Sequence, residues 1–67
     1  MINIYLNGEK RETPPDIDLV RLLELFSLPS QRIAIELNNT VVRRADWPHS
    51  ILHEDDKLEI VHFVGGG

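Results

Sequence analysis

One stretch of this chain carries a helical pattern, and its shortness dictates what the rest must be. Leu19, Leu22, Leu23 and Phe26 fall at i, i+3, i+4 and i+7, which makes a single apolar stripe about 100° wide. Asp18 stands where an N-cap belongs. Ile17 before it is placed to pack on Leu22 as a hydrophobic staple, and Asp16 and Asp18 bring acid to the positive end of the helix dipole. Pro29 forbids continuation beyond Leu28, which limits the helix to about nine residues. A helix of that length does not persist alone in water, so its stripe must lie on a sheet.

The rest of the chain supplies the strands. Ile2, Ile4 and Leu6 alternate with Asn3 and Tyr5, and Asn7-Gly8 is the pair that tolerates φ > 0 at both turn positions, so residues 1 to 13 read as a hairpin. The return strand, Glu9 to Thr13, is rich in charge and belongs at a sheet edge, where charge discourages further pairing. Pro14-Pro15 ends it. Ile33, Ile35 and Leu37 give a third strand, Asn38-Asn39-Thr40 a turn and Val41-Val42 a short fourth strand. Residues 43 to 57 read as irregular, anchored by Trp47 and Ile51-Leu52, with Pro48 ruling out a central strand. Leu58 to Val64 form the last strand. The fold class is α+β, one helix covering one face of the sheet.

With 67 residues and 42% apolar content, the chain has room for one small core and none for a deep catalytic cleft. The absence of cysteine removes disulfides, thiolate metal sites and thiol nucleophiles. Met1 to Tyr5 do not read as a signal peptide and no apolar run is long enough for a membrane helix, so a cytoplasmic address with no membrane partner is expected. The formal charge of −4 argues against nucleic acid. His49, His53 and His62 lack a shared element to place them together, and no metal site is expected. Ser27, Ser30 and Ser50 have no nearby base at any defined spacing, which leaves nucleophilic catalysis without support.

Three of the four glycines, Gly65, Gly66 and Gly67, stand in a row after the last strand. Lacking Cβ atoms, such a run can enter a slot too narrow for any other residue and deliver a carboxylate into another protein. On the last strand the period of two puts Leu58, Ile60, His62 and Val64 on one side and Glu59, Val61 and Phe63 on the other. The first set holds the better core residues, so Val61 and Phe63 read as an apolar docking patch on the outer face beside the tail. The competing reading has residues 43 to 53 folding over that face and burying Phe63. Arg43-Arg44 concentrates positive charge, and Arg44 reads either as a partner contact or as a clamp on the following loop.

The chain resembles the ThiS family, the sulfur carriers of thiamin biosynthesis, over nearly all its length. The resemblance rests on the opening strand with Asn7-Gly8, Leu22-Leu23-Glu24, Leu37 through Val42, Arg44 with Trp47, Asp55 through Val61 and the closing glycines. Arg43 departs from the proline common in that family. The resemblance implies a ubiquitin-like β-grasp fold, a mixed four- to five-stranded sheet with one main helix on one face, comprising residues 1–64 and a flexible tail at 65–67. It implies no catalysis by the chain itself and no bound cofactor. A ThiF-type adenylating enzyme using ATP and magnesium is expected to activate the Gly67 carboxylate, with Gly65 and Gly66 threading its channel and Val61, Phe63 and Arg44 docking. Sulfur from a cysteine desulfurase then gives a thiocarboxylate, which thiazole synthase consumes. The free protein is expected to be a monomer. The small subunit of molybdopterin synthase, a ubiquitin-like modifier and an interaction module with an inert tail are the alternatives.

Overall fold

The structure is a computed structural model that describes residues 1–63, so the expectations placed on Val64, Gly65, Gly66 and Gly67 lie outside the described residues. Strands β1 (Ile2–Leu6) and β2 (Glu9–Thr13) form the expected hairpin, with Asn7 at φ 49° and Gly8 at φ 84°, both turn residues in the left-handed region. Strands β3 (Ile33–Leu37) and β4 (Thr40–Val42) form a second hairpin of the same kind, with Asn38 and Asn39 at φ 51° and 72°. Strand β5 (Lys57–His62) lies between the hairpins, parallel to β1 and antiparallel to β3. The order β2-β1-β5-β3-β4 makes a five-stranded mixed sheet and leaves the charged β2 at an edge.

Helix α1 spans Leu19–Leu25 and is capped by Asp18, whose Oδ1 accepts the Arg21 N–H at 2.9 Å. It is shorter than Pro29 alone requires. Ser27 adopts φ 54°, its N–H bonds the Glu24 carbonyl and the Leu28 N–H bonds the Leu23 carbonyl at 2.8 Å. That is a Schellman closure with serine in the left-handed position, so local hydrogen bonding stops the helix before proline sterics are reached. Leu19, Leu22 and Leu23 are buried, and Phe26 packs at the core margin.

Residues 43 to 57, expected to be irregular, contain a 3-10 helix at Arg44–His49. Pro48 is accommodated within it, and the buried Trp47 donates its indole N–H to the Val42 carbonyl at 3.0 Å. A single 3-10 stretch this short shows no periodicity for a sequence reading to detect. Trp47 and Leu52 share one core with Leu19, Leu22 and Leu23 from α1 and with Ile4, Ile35 and Leu58 from the sheet. The 3-10 helix therefore packs on the helix side of the sheet, which leaves the other face uncovered by residues 43 to 53.

Candidate functional site

Strand β5 carries the chain towards its glycines, and side chains from both hairpin turns hold it. Asn38 Oδ1 accepts the Lys57 N–H at 2.9 Å while its backbone N–H donates to the Lys57 carbonyl at 2.8 Å. Asn38 Nδ2 also donates to Asp56 Oδ1, whose other oxygen accepts the His53 N–H. Across the strand, the Asn7 N–H donates to the Leu58 carbonyl at 2.8 Å and Asn7 Oδ1 accepts the Ile60 N–H at 2.7 Å. Each asparagine thus serves twice, taking the left-handed backbone of its turn and satisfying β5 with its amide. Asparagine suits both tasks because it is among the few residues that enter that region readily and it carries a donor and an acceptor. The sequence marked these residues as turn formers only; their bonds to β5 carried no local signal.

The loop before β5 is tied to the first strand. Glu54 accepts the Asn3 backbone N–H at 3.0 Å and Asn3 Nδ2 at 3.1 Å, and Asn3 returns its carbonyl to the Asp55 N–H at 2.7 Å. The backbone bond from Asn3, followed by the side-chain bond, holds the Glu54 carboxyl below its ordinary range, because both donors favour the charged form.

Beyond this anchorage β5 presents the expected apolar patch. Val61 is 49% and Phe63 54% exposed, and Val61 lies opposite Ala34 of β3 on the outer face. Phe63, one residue past the strand, donates its N–H to the Arg32 carbonyl at 2.7 Å and so remains fixed to the body. Beside the patch Glu36 and Glu59 are direct cross-strand partners, and Glu36 is also opposite Val41, which is 63% exposed. Two like charges face to face cost stability. Around this patch the outer face is therefore apolar and acidic, with Lys57 and Lys10 on the same face nearer β1, and among the described residues no helix lies on it.

Arg44 lies elsewhere. Its guanidinium sits 4.4 Å from the centre of the Trp47 ring in the segment that follows, and the carbonyl it bonds is that of Ser30 in the loop before β3 rather than one of the following loop, which puts it on the helix side. There it borders a groove of about 320 Å³ lined by Val20, Leu23, Leu28 and Trp47. The structure brings Val61 and Phe63 together and leaves Arg44 on the opposite face. His49, His53 and His62 are each exposed, and among the described residues no three His, Asp or Glu side chains could hold a metal ion.

A mixed five-stranded sheet with one helix across one face is a β-grasp domain. The same fold occurs in the crystal structure of thiamine biosynthesis protein ThiS from Geobacter metallireducens, with a TM-score of 0.87, 23% identity, and coverage of 98% of this chain and 100% of that one. Residues 4–67 match the ThiS family, and the chain belongs to it. It is 31% identical over 65 residues to the sulfur carrier protein ThiS of Bacillus subtilis, covering 98% of that protein. It is also 38% identical over 66 residues to a thiazole synthase of Magnetococcus marinus, of whose length it spans 20%.

Proposed function

We propose that this chain carries sulfur on its Gly67 carboxylate and delivers it to a thiazole synthase. The observation that carries the reading is the family match, whose matched length runs through Gly65, Gly66 and Gly67. The similarity to part of a thiazole synthase supports that acceptor, since a carrier and its acceptor joined in one chain would meet at high effective concentration. The chain is a substrate of other enzymes and performs no catalysis.

The chemistry follows from the carboxylate. An ionised carboxylate is a poor acyl donor, so a ThiF-type enzyme with ATP and magnesium activates it: a carboxylate oxygen attacks the α-phosphate and pyrophosphate leaves. Sulfide, released when a thiol reduces the persulfide of a cysteine desulfurase and is itself oxidised to a disulfide, attacks the acyl carbon, and AMP departs with the oxygen. The thiocarboxylate that results is the sulfur donor. The β-grasp body docks through Val61 and Phe63 while Gly65 and Gly66 enter a channel sized for backbone alone.

Incubation with the adenylating enzyme, MgATP and sulfide is expected to replace one oxygen of Gly67 by sulfur, read by intact mass. Gly66→Val and deletion of Gly67 are expected to abolish conversion at unchanged melting temperature. Equal conversion of these variants and the unaltered chain would overturn the carrier reading.

A further inference from the structure

We propose that β5 is extended by an edge-on strand of the adenylating partner, which pairs with the backbone N–H and C=O of His62 on the side away from β3. This rests on the carrier reading above and adds how the body is gripped. Alternate residues of a strand direct their backbone groups to opposite sides. Phe63 bonds Arg32 at the start of β3, so the odd-numbered residues of β5 serve that side. On the other side Leu58 accepts from the Asn7 N–H, and the Ile60 N–H bonds Asn7 Oδ1 at 2.7 Å with the longer return contact, Asn7 Nδ2 to the Ile60 carbonyl, at 3.5 Å.

The Asn7 amide thus stands in for the next peptide unit of β1. But β1 ends at Leu6, and its register with β5 comprises only Tyr5↔Lys57 and Leu6↔Leu58. His62 is the next residue of β5 to face that side, and no residue of β1 is level with it. At the turn itself, a Cβ placed on Gly8 would meet nothing within 4 Å. The outer edges differ. β2 carries Glu9, Lys10, Arg11 and Glu12, charges that resist added strands, and β4 has three residues. At His62 the flanking side chains are the exposed apolar Val61 and Phe63.

The occupant follows from the chemistry. A partner that covers Val61 and Phe63 strips water from the His62 backbone, whose donor and acceptor must then be paired. A neighbouring extended backbone supplies both complements at once, and its strand then runs alongside the chain towards residues 64–67.

Amide hydrogen exchange tests this directly. In the free protein the His62 amide is expected to exchange faster than those of Val61 and Phe63, and to become protected when the adenylating enzyme is added. His62→Ala keeps the N–H and is expected to bind like the unaltered chain. His62→Pro removes an N–H that has no strand partner among the described residues and is expected to weaken binding about tenfold relative to His62→Ala. Should circular dichroism show His62→Pro unfolded, an ester at the same linkage, made by semisynthesis, removes the same N–H with the side chain kept. Equal binding by the ester or proline form and His62→Ala, or an unprotected His62 amide in the complex, would overturn the added strand. Failure of the unaltered chain to bind the enzyme overturns the carrier reading itself and this proposal with it.

Discussion

Single side chains in this protein do long-range work, and Glu54 shows it. Its carboxylate accepts two bonds from Asn3 and so joins the loop before β5 to the first strand. Since those donors lower its folded pKa, the stabilisation is present above the unfolded value, roughly pH 4, and is lost as pH falls through the folded one. Glu54→Gln is expected to melt below the unaltered protein at pH 7, with the gap narrowing in acid. Melting curves at the two pH values check this, and a gap that widens in acid would refute the sign. Asn7 acts over the same kind of distance, 53 residues, with its amide on Ile60.

At the scale of elements, the helix and the last strand divide the labour. Helix α1 has seven residues and owes its existence to the sheet beneath Leu19, Leu22 and Leu23. Leu22→Ala removes a fully buried side chain at a cost of about 2–5 kcal/mol, a large part of the total stability of so small a domain. The expected outcome is a steep loss of melting temperature or an unfolded chain; an unchanged melt would mean that the stripe does not pack on the sheet. Strand β5 contributes the opposite property, since its inner residue Leu58 is locked in the core while Val61 and the adjoining Phe63 stay uncovered. One strand therefore combines a buried core residue with an exposed apolar surface.

At the scale of the molecule, the two faces of the sheet are covered differently. Among the described residues all the helical structure lies on one face, and with it the Arg44–Trp47 contact. The other face holds Val41, Val61 and Phe63 around the Glu36–Glu59 pair. If that face docks, Phe63→Asp is expected to leave the fold within about 0.5 kcal/mol of its stability, as exposed substitutions do, while weakening binding to the adenylating enzyme. Circular dichroism beside a binding titration separates the two effects. Loss of fold would make Phe63 structural, and unimpaired binding would move the docking surface elsewhere.

Much of this was legible in the residues because it depends on neighbours in the chain. Alternation in Ile2–Leu6 and Ile33–Leu37, the positive-φ pair Asn7-Gly8 and the cap at Asp18 are short-range physics and appear where the pattern put them, while the turn at Asn38-Asn39 is one residue shorter than expected because Thr40 already belongs to β4. The exposure of Val61 and Phe63 followed from the same period of two once the helix had claimed the other side. What only the folded chain decided is long-range. The parallel match of β5 with β1, the seating of the 3-10 helix under Trp47 on the helix side, the capture of Arg44 by Ser30 and the overhang at His62 all require segments far apart in sequence to meet. Their geometry follows from closing one small core around a single helix, and no window of neighbouring residues contains that constraint.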